Sequence, residues 1–406
     1  MHGFESALAV LGVLLIGGAL IAGVAHRTFL SLTALFVVAG LVLGRGGFKV
    51  LDFDPRSGFV GTLAQVALIL ILFRDGLEVE AEMLQRAWRL PLRKLVLAMP
   101  ITAGLVAVLT AALTNLNWTE CFLVGALLAP TDPVLSSSVV TNARVPRVIR
   151  HSLNLESSLN DGLALPAVLA LAAALDPAKG SFVWWRFVLR DVSLGFAVGL
   201  AAGYVASRLM PRTRSLGHEV TPHQKALYGL GVAFGTYALA HAAKGNGLIA
   251  VFVGAIALGI LRPDIRESFE RRSEDIIEVV KLGVFVVFGA VLTLHGLFQD
   301  GVAAAAIVAF TLLLARPLAV FVSLIGTSTD TPTRIFMGWF GPKGVATMTF
   351  SLLVLSEGIQ HGTRIANLAA LAVFTSIIAH GLTDTPGAEW MARHAERVQA
   401  SERAHA

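Results

Sequence analysis

The chain has 406 residues, of which 55% are hydrophobic and 15% are charged, whereas soluble domains carry about 25% charged residues. This composition, with a mean hydropathy of +0.73, excludes a string of soluble domains and predicts one continuous body of membrane-spanning helices. The net charge of +5 does not indicate a nucleic-acid partner, because the basic residues sit in short loops that orient helices in the bilayer. The single cysteine, Cys121, excludes an internal disulfide.

Long apolar runs predict an all-α polytopic membrane protein with about thirteen transmembrane helices, since roughly 20 apolar residues span a bilayer. Their centres lie near residues 15, 36, 66, 104, 129, 164, 196, 232, 254, 288, 313, 346 and 373. Basic loops alternate with loops that are poor in Lys and Arg: the third carries Arg86, Arg89, Arg93 and Lys94, and the fourth carries none. By the positive-inside rule the N-terminus lies outside and a short tail, 386–406, is cytoplasmic.

The third span ends with the letters LILFRDGLEVE, which include the carboxylate of Asp75. Ionisable residues inside a span are costly and are usually functional or paired. Asp75 either faces a polar cavity inside the helix bundle or begins the cytoplasmic loop together with Arg74. The sequence favours neither interpretation.

The fifth span is interrupted by the motif APTDP (129–133), which has two prolines at mid-span. Each proline breaks the hydrogen bond to the carbonyl four residues earlier, so the carbonyls near Ala126 and Ala129 need other partners. Irregular backbone at this depth is tolerated where it lines a cavity or is buried in protein. Thr131 and Asp132 lie beside these free carbonyls, an arrangement typical of cation sites in transporters. The alternative is a proline kink in which Asp132 only caps the second half-helix.

The sixth span contains a polar cluster near its middle, in the letters ESSLNDG (156–162). Ser157, Asn160 and Asp161 are spaced i, i+3, i+4 and share one helix face. A hydroxyl, an amide and a carboxylate form an all-oxygen site that suits Na⁺ or Li⁺. Asp161 can hold either a cation or a proton, and a group with that choice is a minimal exchanger. The alternative is a polar contact between helices.

The eleventh span carries Arg316 deep within the apolar run. A buried guanidinium needs an acidic partner, and Glu156 is the candidate. The twelfth span is interrupted by the letters GWFGPKG (338–344), which include Lys343. Lys343 either neutralises the carbonyl ends of a half-helix or extends to the surface, and we favour the first. The broken fifth and twelfth spans are seven apart and therefore oppositely oriented, which predicts an inverted repeat.

These motifs, together with three weaker ones, resemble the monovalent cation/proton antiporter-1 family, NhaP type. The weaker motifs are GNGLIAVFVGAIALG (245–259), ARPLAVFVSLIGT (315–327) and HGLTDTP (380–386). The resemblance covers nearly the whole chain, and the combination of TDP with ESSLNDG is its specific part. It implies a transporter in the cell's inner (plasma) membrane, with no enzyme activity and no cofactor. It also implies unwound helices that cross at Thr131–Pro133 and near Gly341–Gly344.

The resemblance also implies a homodimer built from one membrane-embedded unit, residues 1–385. Within this unit, a core subdomain would comprise roughly 59–176 and 278–385. A dimerisation subdomain would comprise roughly 1–58 and 177–277.

By resemblance, Asp161 would be the carboxylate that exchanges a cation for a proton, beside Asn160. Ser157 and the Thr131 carbonyl would complete a Na⁺ site, with Asp132 nearby. An Asn-Asp pair at these positions is similar to that of members that exchange Na⁺ (or Li⁺) for H⁺ one for one, without net charge transfer.

Glu156 and Arg316 would form a structural ion bridge. The family usually has Arg where this chain has Lys343. Lys cannot make the bidentate contacts of Arg, so the local pairing in this chain is expected to differ.

Three other functions remain open at this point. A K⁺/H⁺ exchanger of the same family would use the same ligands at slightly different spacing. A cation channel needs a continuous pore lined by rings of carbonyls or charges, whereas the acidic groups here cluster at one point. An intramembrane aspartyl protease would use Asp132 and Asp161 as a proton-sharing pair.

Overall fold

The computed structural model describes residues 9, 12–13, 15–16, 32–79, 88–132, 139, 142–176, 182–211 and 220–405. Every regular element within these ranges is a helix. In chain order the helices are α1 (Leu32–Leu43), α2 (Gly58–Leu77), α3 (Arg89–Leu113), α4 (Trp118–Leu128), α5 (Arg147–Leu175), α6 (Trp184–Leu209), α7 (Pro222–Ala242), α8 (Gly247–Leu261), α9 (Pro263–Val291), α10 (Leu294–Phe298), α11 (Gly301–Ser323), α12 (Thr331–Trp339), α13 (Val345–Ser356) and α14 (Gly362–His405).

The described part of the chain contains six helices that are long and apolar enough to cross a membrane, so this is a multi-pass membrane protein. A seventh span results if α8 and α9, which are bent by 118° relative to each other, are counted as one. Eleven of the predicted centres, from 36 to 373, fall on helices, and the one near 129 falls on the unwound stretch after α4. The centre near 15 lies where only isolated residues are described, so the total of thirteen spans stays a prediction.

The segment that the sequence predicts to be a short tail, 386–406, is helical up to His405. α14 continues without interruption across the expected boundary at 385/386 and contains Pro386 within it. The continuation packs on the bundle: Trp390 stacks on Phe336 at 6.3 Å between ring centroids, and Arg144 Nη2 lies 3.0 Å from Glu396 Oε1. Through these contacts the helical segment after residue 385 lies against the bundle.

α8 lies against two groups of helices and packs on both through glycine. On one side, a Cβ added to Gly199 of α6 would lie 2.3 Å from the Ala250 carbonyl oxygen. On the other side, a Cβ on Gly76 of α2 would lie 2.8 Å from the Phe252 carbonyl oxygen, and one on Gly162 of α5 would lie 2.2 Å from the Phe252 ring. Helix backbones therefore approach each other closely around α8, beside the polar cluster of α5.

The sequence predicts that the fifth and twelfth spans are broken. Short half-helices of these two spans, α4 and α13, lie at the centre of the bundle. α13 is buried from Val345 to Leu355, although its twelve residues are too few to span a bilayer. Free backbone ends at this depth persist only when protein groups bind them. The all-α fold with two unwound, crossing helices is therefore confirmed, and the partners of its free backbone groups define the site.

Candidate functional site

Two unwound stretches meet at the centre of the molecule. α4 ends at Leu128, α12 ends at Trp339, and the next half-helix begins at Val345. The backbone N–H of Asp132 donates to the carbonyl oxygen of Pro342 across 2.8 Å. The two broken spans are thus joined backbone to backbone where neither is helical.

The carbonyls released by the break after α4 receive donors from the other broken span. The Lys343 amine donates to the carbonyl oxygens of Ala129 and Pro130, at 3.2 and 3.1 Å. The Thr347 hydroxyl donates to the Leu127 carbonyl at 3.0 Å. Lys343 is fully buried, so it does not extend to the surface. Its amine lies at the carbonyl end of α4, where a cation would be favourable.

Asp132 is held by the half-helix that starts opposite it. Its Oδ2 accepts the backbone N–H of Val345 at 3.2 Å, and a Cβ added to Gly344 would lie 2.5 Å from the same oxygen. A helix N-terminus favours an anion, so Asp132 and α13 stabilise each other. Pro133 and the residues that follow it, up to 138, lie outside the described residues, so the interpretation in which Asp132 caps the second half-helix of the fifth span stays open.

The amide of Asn160 is oriented by the unwound stretch. Its Nδ2 donates to the Thr131 carbonyl oxygen at 2.6 Å and lies 3.1 Å from the Thr131 hydroxyl. The amide oxygen therefore points the other way. Among the described residues, no donor reaches the buried Oδ1 of Asn160 or the buried Oδ1 of Asp161. Buried oxygens without a donor, here on two residues that are adjacent in sequence, are suited to a small, hard cation.

Asp75 and Asp132 lie near enough to Asp161 for electrostatic interaction with its carboxyl, so the structure brings three buried acidic side chains into one region. Asp75 is buried within α2 and does not begin a loop, and its Oδ1 accepts from Arg74 Nη2 at 2.7 Å. Ser157 is half-buried on α5, about one turn before Asp161. Within the described residues, no group of three or more His, Cys, Asp or Glu side chains is placed to hold a metal ion. A cation here would need hydroxyl, amide or carbonyl ligands beside Asp161.

Glu156 lies between two cations from different helices. Its Oε2 lies 2.6 Å from the Lys94 amine, and its Oε1 lies 3.0 Å from Nη2 of Arg316. The Arg316 contact has the distance of an ion pair without the alignment of a hydrogen bond. The loop charge count assigns Lys94 to the third cytoplasmic loop, and that assignment is wrong: its side chain is fully buried.

Both cations lie next to a π-helical turn, which inserts one extra residue and is frequent at functional sites. One π turn, Lys94–Ala98, begins at Lys94, and the other, Thr311–Ala315, ends just before Arg316. Arg316 also needs a glycine beneath it, because a Cβ on Gly341 would lie 1.9 Å from its Nε. Nothing in the hydropathy pattern signals these turns, so the sequence did not reveal the second partner of Glu156.

A cavity of about 540 Å³ lies among α2, α5, α6, α7, α8 and α13. Its polar lining includes Arg186, Arg190, His241 and Glu357. α5 contributes Val168, which is about 10 Å along the helix from Asp161 at ~1.5 Å per residue. The cavity therefore lies toward one end of the bundle from the carboxylate cluster.

Comparison with known proteins is consistent with this geometry. The model of the transmembrane sodium/hydrogen exchanger family matches residues 12–390. The chain belongs to this family of transporters.

Similar proteins include the K(+)/H(+) antiporter NhaP of Alkalimonas amylolytica, 24% identical over 96% of this chain and 68% of the relative. NhaP2 of Shewanella sp. (strain MR-4), named a K(+)/H(+) antiporter, is 25% identical over 91% of this chain and 64% of the relative. The probable Na(+)/H(+) antiporter 2 of Methanocaldococcus jannaschii is 24% identical over 90% of this chain and 88% of the relative. This chain thus spans about two thirds of the length of the two K(+)/H(+) antiporters.

Among solved structures, the sodium proton antiporter MjNhaP1 from Methanocaldococcus jannaschii at pH 8 superposes with a TM-score of 0.81 at 20% identity. The match covers 96% of this chain and 98% of that one. At this level of identity the likeness shows that the two chains share a fold.

Proposed function

We propose that this protein is a secondary transporter that exchanges Na⁺, or Li⁺, for H⁺ at Asp161. The observation that carries the proposal is the pair of buried oxygens, on Asn160 and Asp161, that no described donor reaches. A buried carboxylate is strongly destabilised unless a proton or a cation neutralises it. One carboxylate cannot hold both at once, so the two ions compete for it.

The Na⁺ ligands are Asp161, the amide oxygen of Asn160, the Thr131 carbonyl or hydroxyl, and Ser157, and the Asn160 N–H groups fix the position of Thr131. Other nearby carboxylates already have partners: the Val345 N–H binds Asp132, and Arg74 binds Asp75. With a single exchangeable carboxylate, one Na⁺ crosses in one direction and one H⁺ in the other. The exchange is therefore electroneutral. It slows at low pH, where protons saturate the site, and at high pH, where protons become scarce.

Transport proceeds by alternating access, with the core subdomain (59–176 and 278–385) moving against the remainder of a homodimer in the inner membrane. The tail is cytoplasmic in this orientation, and the loop-charge pattern puts the 540 Å³ cavity toward the outside. The glycine contacts of α8 with α2 and α5 support such movement, because Gly76 and Gly162 present no side chain to α8 at these points of the predicted subdomain boundary.

A K⁺/H⁺ exchanger is the second candidate, because two of the similar proteins are named as K(+)/H(+) antiporters. A channel is disfavoured because the polar groups cluster at one point and do not form rings along a pore. A protease would need the carboxyls of Asp132 and Asp161 to share a proton, whereas Asp132 accepts the Val345 N–H.

The test is ion-driven proton flux in vesicles that contain the purified protein and a trapped pH dye. Na⁺, Li⁺ and K⁺ are added with and without a clamp on the membrane voltage, to wild type, to Asp161→Asn and to the surface control Asp52→Asn. We expect Na⁺ and Li⁺ responses that the clamp does not change, that Asp161→Asn lacks and that Asp52→Asn keeps. A response to K⁺ alone would mean that the protein exchanges K⁺, and not Na⁺, for H⁺. Flux that survives in Asp161→Asn would remove Asp161 from its role.

A further inference from the structure

α14 contacts the unwound stretch between α12 and α13 through two side chains that the proposed function does not use. Ser376 and His380 are both buried and lie one turn apart. The Ser376 hydroxyl accepts the backbone N–H of Lys343 at 2.7 Å. His380 Nε2 lies 2.9 Å from the carbonyl oxygen of Trp339. The two side chains thus bind both ends of the stretch from Trp339 to Lys343.

Both ring nitrogens of His380 lie against oxygen atoms. Nε2 lies 2.9 Å from the Trp339 carbonyl oxygen, and Nδ1 lies 2.8 Å from the Ser376 carbonyl oxygen and 3.1 Å from the Ser376 hydroxyl. With Nε2–H donating to Trp339, a set of contacts that we call the ring connects the Lys343 N–H to Ser376, Ser376 to His380, and His380 to Trp339. Lys343, Ser376 and His380 are buried, so removing one member leaves a buried polar group without its partner.

The ring acts on the ion site through the backbone it holds. The same stretch carries the Lys343 amine, which binds the carbonyls of Ala129 and Pro130. It also carries the Pro342 carbonyl, which accepts from Asp132 N. Directly after Pro130 comes Thr131, which binds Asn160. A continuous set of hydrogen bonds therefore connects α14 to the oxygens around Asp161.

We propose that Ser376 and His380 are positioning residues for cation binding, which hold the unwound stretch so that the oxygens around Asp161 are set for the cation. This inference rests on the proposed function. It predicts that losing the ring weakens the binding of Na⁺ while the remaining transport machinery stays intact.

Three substitutions at His380 separate positioning from general packing. A Gln amide can reach the place of Nε2 and keep the donor to Trp339, whereas Asn puts its amide near Nδ1 and loses that donor, and Ala loses both. We expect His380→Ala and His380→Asn to raise the KM for Na⁺ roughly tenfold, the effect of one buried hydrogen bond, with little change in kcat. His380→Gln should stay within about twofold of wild type. Thr375→Ala is the matched control, because Thr375 is exposed on the same helix and its hydroxyl bonds, among the described residues, to the Leu371 carbonyl of its own helix.

Ser376→Ala provides an independent check of the ring. Because both residues act through one stretch of backbone, Ser376→Ala should resemble His380→Ala, and the double variant should lose little more than either alone. Unchanged KM in all of these variants would overturn the proposal. So would an equal fall of kcat in the Ala, Asn and Gln variants with KM unchanged, because that pattern indicates packing alone.

A binding measurement distinguishes failure of this inference from failure of the proposed function. Thermal unfolding of purified wild type and His380 variants is followed over a range of Na⁺ concentrations. Stabilisation by Na⁺ that is weakened in His380→Ala and restored in His380→Gln upholds positioning, even if wild type shows no proton flux. Equal stabilisation of every variant by Na⁺ overturns positioning while leaving exchange at Asp161 in place. Absence of both flux and stabilisation in wild type overturns the two together.

Discussion

Glu156 shows how this protein keeps a carboxylate near the ion site from competing for cations. Each of its oxygens has its own cation, the Lys94 amine at 2.6 Å and the Arg316 guanidinium at 3.0 Å. Both partners come from helices other than α5, which carries Glu156. Glu156 therefore joins three helices, five residues before Asp161, which is the carboxylate proposed to exchange ions.

The two substitutions Glu156→Gln and Lys94→Met should differ strongly in their effect on stability. Glu156→Gln leaves two buried cations without their anion, and breaking a buried pair typically costs about 3–5 kcal/mol. Lys94→Met leaves Glu156 paired with Arg316 and should cost roughly half as much or less. The measurement is the loss of folded protein on heating in detergent. A Lys94→Met variant as unstable as Glu156→Gln would mean that Lys94, and not Arg316, is the essential partner.

The spacing of Ser157, Asn160 and Asp161 could be interpreted from the sequence because helical periodicity alone puts them on one face. Lys94 could not be recognised in the same way. A basic residue at the start of an apolar run normally belongs to a loop, and the π turn that directs Lys94 inward has no hydropathy signature. The need of Arg316 for an acidic partner was evident from its depth, but the number of cations sharing that partner depended on the tertiary structure.

Among the elements, α4 and α13 depend on each other more than on their own sequences. The carbonyl end of α4 receives Lys343 and Thr347, and the N-terminus of α13 receives Asp132. Prolines and glycines in the sequence predict where each span breaks. They do not predict which groups satisfy the exposed backbone, since those groups come from the helix that crosses it.

Lys343→Met tests this mutual dependence. The substitution keeps the apolar stem but removes the donor from the carbonyls of Ala129 and Pro130, and each buried unsatisfied group costs about 1–3 kcal/mol. We expect lower thermal stability and a large loss of Na⁺-driven proton flux. Lys343→Arg keeps a donor and a positive charge, so it should retain more thermal stability and more proton flux than Lys343→Met. Equal behaviour of the Met and Arg variants would show that the charge on the α4 carbonyl end contributes nothing.

For the whole molecule, the surface between α8 and its neighbours determines whether the proposed movement can occur. Gly162 lies directly after Asp161 and beneath the ring of Phe252. Phe252 belongs to the predicted dimerisation subdomain and Gly162 to the predicted core. Movement of the core would carry Gly162 past this ring, and the absence of a side chain on glycine leaves the path open.

Gly162→Ala should therefore slow turnover at saturating Na⁺, because its Cβ would lie 2.2 Å from the Phe252 ring. The expected loss is roughly tenfold, the effect of overpacking by about 1–3 kcal/mol. Adding Phe252→Leu should restore part of the turnover. Gly104→Ala in α3 is the control, since a Cβ there meets nothing within 4 Å. Full turnover in Gly162→Ala would argue against sliding at this surface.

The way Thr131 orients Asn160 has a consequence for ion leakage. The amide N–H groups of Asn160 are directed at Thr131, and no described donor reaches the buried Oδ1 of Asp161. An ionised Asp161 with neither a cation nor a proton bound would have to cross the membrane with its charge uncompensated, at a cost of several kcal/mol. This cost opposes the change of access from one side of the membrane to the other while the site is empty. In the proposed cycle, this penalty prevents one ion from running down its gradient without the other.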